Sequence, residues 1–145
     1  MPDMKERDGA LDAMIALHTR SLDTEQGFAK MVEKAEPAFR PIAQRFGDLH
    51  ARHVTRLGAM VRELGGEPDA DGSFMGTVNR AVVTLRSVFD QIDDDVMVQV
   101  RNGEDFVLTS FDGAIAERQS PEHHRALVEM RAELAALLDE TRHVK

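Results

Sequence analysis

Apolar residues recur at helical spacing in four long segments of the chain. They return every three or four residues, which places their side chains on one side of an α-helix. The chain is therefore predicted to be all-α, with four amphipathic helices. The predicted buried stripes are Leu11, Met14, Ile15, Leu22, Ala29 and Val32; Phe39, Ile42, Phe46, Leu49, Leu57, Met60 and Leu64; Val100, Val107, Leu108, Phe111 and Ile115; and Leu127, Met130, Leu134, Leu137 and Leu138.

Residues that favour helix ends separate these segments. Pro37 is predicted in the first turn of the second helix, where a missing N–H does no harm. Residues 64–68 (LGGEP) supply a glycine cap and then a proline, which predicts the end of that helix. Ser120 is predicted to cap the fourth helix, with Pro121 at its first position.

The link between the second and third long helices is long, whereas the other two links are short. Residues 66–92 form this crossover, in which Ser73 can cap an additional short helix. Short, long and short connections are typical of ferritin-like bundles. The predicted fold is one ferritin-like four-helix-bundle domain over residues 1–145, with a flexible N-terminus at residues 1–9.

Composition and charge exclude several classes of function. The 145 residues include no cysteine, which excludes disulfides and thiolate metal sites. Their net charge of -8 disfavours binding to a phosphate backbone. The opening segment lacks the apolar stretch of a secretory signal, and no run of about 18 apolar residues could span a membrane. We expect a cytoplasmic protein that binds neither nucleic acid nor membranes.

Two glutamates fall on predicted buried stripes. Glu25 lies among the apolar residues of the first helix, and Glu104 lies between Val100 and Val107 of the third. Counted along the helices at about 1.5 Å per residue, the two carboxylates are predicted at one level. A buried carboxylate is seldom left without a partner. Two inward glutamates at one level resemble half of the two-metal site of ferritin-like bundles, in which metal ions are the partners.

The other half of such a site is missing from the sequence. It would require Glu-x-x-His on the second and fourth helices. On the second helix the level of the glutamates is predicted at Phe46 and Gly47, with His50 at the edge of the stripe and His53 further along. Neither histidine has a glutamate three residues before it, and the fourth helix has no Glu-x-x-His.

The inward polar residues leave two hypotheses open. In the first, the carboxylates are held by an arginine, a histidine or water without metal. In the second, they bind iron or another divalent cation together with histidines. His18 lies on the same side of the first helix as Glu25. It could bind a metal together with His53 and Glu25, or it could form a hydrogen bond with His53 without metal. His123 and His124 are expected to be solvated. The candidate metal ligands are Glu25, Glu104, His50, His53 and His18, and the candidate inward partners are Arg131 and Arg56.

Several motifs resemble the bacterial DUF2383 family, which is classed with ferritin-like proteins. They are residues 23–28 (DTEQGF), the 64–68 stop with the glycines that follow it, and residues 102–105 (NGED) with Phe111. They occur in order over nearly the whole chain. The resemblance implies a ferritin-like fold, a bacterial cytoplasmic protein and no established activity. Asn102 and Phe111 replace an arginine and a tyrosine of the family pattern, and residues 79–82 (NRAV) replace His-Arg-Gly-Trp, which weakens a redox role.

The leading functional hypothesis is a non-catalytic binding or structural protein with an incomplete di-metal site and no assigned cofactor. The alternative is a metal-binding oxidase or iron-handling protein that uses Glu25 and Glu104 with His50 or His53. A homodimer is also predicted, because apolar residues lie away from the centres of their stripes and need covering. These residues are Val98, Phe106 and Phe28.

Overall fold

The structure, a computed structural model, describes residues 4–68 and 96–142. These residues form four helices: α1 (Met4–Lys34), α2 (Arg40–Glu63), α3 (Val96–Ala116) and α4 (Pro121–Glu140). No strand occurs within the described ranges, so the all-α prediction is confirmed. Helix α1 begins at Met4, inside the segment that the sequence assigned to a flexible N-terminus. The crossover helix predicted from Ser73 lies outside the described residues.

The start of α2 differs from the prediction. The helix begins at Arg40, and Pro41 rather than Pro37 occupies its first turn. The Arg40 side chain donates hydrogen bonds to the backbone carbonyls of Val32 and Ala35 at the end of α1. These bonds satisfy carbonyls that a helix end leaves without intrahelical partners. The turn between α1 and α2 is therefore longer than the sequence indicated.

The other helix ends agree with the predicted caps. Gly65 has a φ of 88°, and the N–H groups of Gly65 and Gly66 donate to the carbonyls of Arg62 and Val61. This is the Schellman arrangement that favours glycine after a helix. At the start of α4, the Ser120 side chain accepts a hydrogen bond of 3.1 Å from the His123 backbone N–H. Both predicted caps are confirmed.

The four described helices form a bundle in which each is a neighbour of two of the others. Helix α1 lies beside α2 and α3, and α4 completes the bundle beside the same two helices. Helices α2 and α3 therefore face each other across a diagonal. None of the described helices combines the length and the apolar character that a membrane span needs.

Side-chain contacts give the directions of the helices. Arg45 near the start of α2 pairs with Glu140 at the end of α4, so these helices are antiparallel. Arg101 near the start of α3 donates to the carbonyl of Thr141 just after α4, so α3 is also antiparallel to α4. Helices α2 and α3 consequently run in the same direction. The chain leaves α2 at one end of the bundle and enters α3 at the other, a separation of about 30 Å.

The buried stripes of α3 and α4 match the prediction closely, whereas that of α1 differs. Ala29 is exposed, and Leu17 and Met31 are buried instead. Phe28, predicted to lie off-centre, is buried against Phe46 at a ring-centroid distance of 5.2 Å. It therefore belongs to the core and is not available to a partner.

Candidate functional site

Two histidines of α2 point into the bundle. His50 and His53 are three residues apart, a spacing that places both on the inner side of the helix among apolar residues such as Leu49 and Leu57. His50 is 0% exposed and His53 is 2% exposed. Buried histidines of this kind are constrained by the groups that their ring nitrogens meet.

Glu104 of α3 meets His50 across the diagonal of the bundle. Its side chain lies among Val100, Val107 and Phe111, and the residue is 1% exposed. The distance between His50 Nε2 and Glu104 Oε1 is 2.7 Å, which is a hydrogen bond within the core. The imidazole N–H donates if the carboxyl is ionised, and the carboxyl O–H donates if it is not. We refer to His50 and Glu104 as the diagonal pair.

Aromatic rings fix the positions of both imidazoles. The ring of Phe28 stacks on His50 at 5.9 Å, with an angle of 15° between the planes. His53 meets Phe111 edge-on at 5.9 Å and meets His50 edge-on at 6.4 Å. Because each imidazole is packed against a ring, neither can rotate without displacing core side chains. The diagonal pair is thus held in a rigid position within the core.

His53 is neutral at neutral pH. Burial lowers the pKa of this histidine from 6.5 to about 4, and the nearby His50 and Arg52 act in the same direction. The carboxylate of Glu133 opposes this shift in the pKa but does not cancel it. The distance from His53 Nε2 to Glu133 Oε2 is 3.7 Å, which is longer than a hydrogen bond. A neutral imidazole in the core therefore keeps one nitrogen lone pair.

Several polar atoms around the diagonal pair have no hydrogen-bond partner among residues 4–68 and 96–142. They are Glu104 Oε2, His50 Nδ1 and both ring nitrogens of His53. A buried polar atom without a partner costs about 1–3 kcal/mol, and more if it carries charge. These atoms could bind water or another polar species. Within residues 4–68 and 96–142, however, no three His, Asp or Glu side chains are grouped closely enough to hold a metal ion.

The residue of α2 that lies opposite Glu104 differs from the prediction. The sequence placed Phe46 and Gly47 opposite the glutamates, whereas the structure places His50 opposite Glu104. The error follows from the start of α2, because a helix that begins at Arg40 instead of Pro37 shifts every level by about three residues. His50, predicted at the edge of the stripe, is in fact fully buried.

The two α1 candidates do not join the diagonal pair. Glu25 is half-buried, and in the described part of the chain no group of three or more possible metal ligands brings it together with Glu104. His18 is buried against α2 further along the bundle, where its Nε2 would lie 3.6 Å from a β-carbon added at Gly58. The structure therefore brings together His50 and Glu104, with His53 alongside.

The two candidate arginine partners bind elsewhere. Arg131 makes a two-pronged ion pair with Asp112 of α3, with Nε and a terminal nitrogen 2.6 and 3.1 Å from the carboxylate oxygens. Arg56 lies 3.5 Å from the carboxylate of Glu129 on α4. Both pairs are on the outer surface between helices. The partner of Glu104 is a histidine instead, which is one of the alternatives that the sequence left open.

Sequence reasoning missed two contacts between buried histidines and surface glutamates. His123, expected to be solvated, is buried and lies 2.7 Å from Glu63. The exposed Glu133 of α4 approaches both His53 and Arg52. A signal for Glu133 was present, because basic residues of α2 and acidic residues of α4 share one spacing in opposite order. The pairs are Arg45–Glu140, Arg52–Glu133 and Arg56–Glu129.

Comparisons with known proteins identify the family but no individual relative. No curated protein and no solved structure matches the chain. A family model described as a domain of unknown function, DUF2383, matches residues 9–117. This match covers α1 from its second turn, α2 and α3, and it contains His50, His53 and Glu104. The chain therefore belongs to the DUF2383 family.

Proposed function

We propose that this protein is a bacterial, cytoplasmic, ferritin-like bundle with a non-catalytic binding or structural role. In this proposal, the diagonal pair occupies the position that a two-metal centre would have in a ferritin-like bundle. The parallel α2 and α3 support the ferritin-like assignment, because they require the long crossover that is typical of that fold. The function itself rests on the chemistry of the core, since a fold alone does not determine an activity.

The distance within the diagonal pair carries the proposal. Two ligands that bind one metal ion at about 2.0–2.2 Å each are separated by about 3 Å or more. His50 Nε2 and Glu104 Oε1 are 2.7 Å apart, which is the separation of a short hydrogen bond. The histidine thus satisfies one oxygen of the buried carboxyl group, and a metal ion between the two atoms would have to push them apart.

The surrounding residues do not fit a two-metal centre. Such a centre needs a carboxylate from α1 and Glu-x-x-His from α2 and α4. Glu25 of α1 is half-buried and belongs to no group of three possible metal ligands in the described ranges. Helix α2 offers His50 and His53, and neither has a glutamate three residues before it. On α4, Glu133 lies towards the surface. The inner residues instead form a hydrogen-bonded contact that links two diagonal helices.

Elemental analysis of the untagged protein, followed by anaerobic ferrous titration and aeration, tests this function. We expect no stoichiometric redox metal and no iron oxidation beyond that of buffer. Glu104→Gln and the matched control His123→Gln should give the same result, because neither would remove a metal ligand. One or two irons per chain, lost in Glu104→Gln but retained in His123→Gln, would contradict the proposal.

A metal-handling function is the second candidate, and one observation favours it. Glu104 Oε2 and both ring nitrogens of His53 are buried without a hydrogen bond to any part of the chain that the structure describes. A neutral imidazole there offers a lone pair to a divalent cation. Under this alternative, the Glu25→Gln/Glu104→Gln double variant loses its iron and its oxidation on aeration. Retention of iron by that variant would exclude these glutamates as ligands.

A further inference from the structure

Helix α3 exposes apolar side chains on the side that faces away from the core. Phe106 is 64% exposed and Val98 is 47% exposed, although the other aromatic residue of this helix, Phe111, is fully buried. Helical spacing places these two residues on one surface with three further exposed residues. We define the α3 outer patch as Val98, Asn102, Asp105, Phe106 and Thr109.

One cation and one anion flank the exposed ring. The guanidinium carbon of Arg20, on α1, lies 5.8 Å from the centroid of Phe106. Asp105 is the residue before Phe106, so its side chain lies about 100° around α3 from that of Phe106, on the side away from α1. Burial raises the pKa of the Asp23 carboxyl group, and the nearby guanidinium of Arg20 opposes this effect. Neither Arg20 nor Asp105 forms an ion pair with a residue in the described ranges.

This arrangement is unusual on the surface of the bundle. The outward charges between α2 and α4 are paired within the chain, as Arg45 is with Glu140, and Asp112 of α3 is held by Arg131. On the α3 outer patch, by contrast, Asp105 is the only charged residue, and Arg20 of α1 lies near the exposed ring of Phe106. Exposed apolar patches rimmed by polar residues are typical of protein interaction sites.

We propose that the α3 outer patch is a self-association surface whose partner is a second copy of this chain. A chain with a net charge of -8 repels its own copies, so association is favoured only through a surface that carries little charge of one sign. A two-fold axis near Phe106 brings the two rings together. When this axis runs parallel to α3, it sets the side of the patch next to α1 opposite the side away from α1. It then directs Arg20 of one copy towards Asp105 of the other, and the reverse pair forms by symmetry.

The size of the patch sets the strength of the dimer. From Val98 to Thr109 the patch spans about 17 Å of one helix. A stable interface usually buries about 800 Å² on each partner, which is more than one helix face provides. We therefore expect a weak dimer with a dissociation constant in the micromolar to millimolar range, about 1 μM to 1 mM. This inference does not depend on the function proposed for the core.

Sedimentation equilibrium of the untagged full chain, up to about 0.5 mM, tests the proposal. We expect a monomer–dimer equilibrium that Phe106→Gln weakens at least about tenfold, which corresponds to about 1.4 kcal/mol. Val128→Gln is the matched control, because Val128 is also an exposed apolar residue (44%) but lies on α4. It should leave the dissociation constant unchanged. Urea unfolding of each variant checks that these surface changes preserve the fold.

Exchange of the two flanking charges tests the two-fold arrangement itself. Arg20→Asp and Asp105→Arg should each weaken the dimer, because each places like charges opposite one another. The combined Arg20→Asp/Asp105→Arg variant should recover the original dissociation constant to within a few fold. A chain that remains monomeric would overturn the proposal, as would a dimer insensitive to Phe106→Gln. Failure of the combined variant to recover association would overturn the two-fold arrangement.

Discussion

The buried neutral His53 makes the stability of the bundle depend on pH. Burial lowers the pKa of His53 in the folded state to about 4, against 6.5 in the unfolded chain. Between these two values the unfolded state binds more protons than the folded state. Stability is therefore fully present above pH 6.5 and is lost as the pH falls towards 4. Acid protonates His53 more readily in the unfolded chain than among Phe111, His50 and Arg52.

The magnitude follows from the two pKa values. One pKa unit is worth 1.36 kcal/mol, so the full difference is about 3 kcal/mol, of which about 2 kcal/mol is lost between pH 7.5 and pH 5. This is a large share of the 5–15 kcal/mol that usually holds a domain folded. Acidic groups also titrate in this range. Their contribution is removed by comparing the protein with His53→Gln, which has no imidazole at this position.

Urea unfolding at pH 7.5 and pH 5 is the appropriate assay. The loss of unfolding free energy on acidification should be smaller in His53→Gln than in the unaltered chain by about 2 kcal/mol. His124→Gln is the matched control, because His124 is exposed on α4, and it should behave as the unaltered chain does. A difference below about 0.5 kcal/mol between His53→Gln and the unaltered chain would refute the assignment of His53 as a buried neutral imidazole.

Three further substitutions test local features of the helices. Gly103→Ala should raise the unfolding free energy by about 0.5–1 kcal/mol in urea unfolding, because an added β-carbon meets no atom within 4 Å and alanine favours helix. Gly65→Ala should lower it by about 1 kcal/mol, since Gly65 has a φ of 88° that alanine adopts only with strain; a stabilised variant would contradict the cap. Ser120→Ala should lower the free energy of unfolding by about 1 kcal/mol, because the hydrogen bond from the His123 N–H is lost. Ser120→Asp can accept the same hydrogen bond and should keep the free energy of unfolding close to that of the unaltered chain.

Local chemistry was sufficient to predict much of the fold. The cap at Ser120 and the glycine turn at Gly65 depend on residues within one helical turn, so short stretches of sequence specify them. The buried stripe around Glu104 was also predicted, because apolar residues surround it at regular spacing. The long crossover agrees with the parallel directions of α2 and α3.

The site required information that local chemistry does not contain. Pro37 and Pro41 are equally acceptable in a first helical turn, and contacts from Arg40 to the end of α1 accompany the later start. That choice moved His50 to the level of Glu104. The approach of Glu133 to His53 likewise depends on the neighbouring helix, because a single-helix pattern shows only which residues turn outwards.

A double-mutant cycle between His50 and Glu104, measured by urea unfolding in the presence of a chelator, tests the central claim most directly. The substitutions are His50→Ala, Glu104→Ala and the two together. If the hydrogen bond between His50 and Glu104 forms without metal, each single variant leaves the other buried polar side chain without its partner. The coupling energy should then be about 2 kcal/mol or more and should not change when zinc or ferrous iron replaces the chelator. A coupling near zero in chelator that appears only with metal would contradict the account.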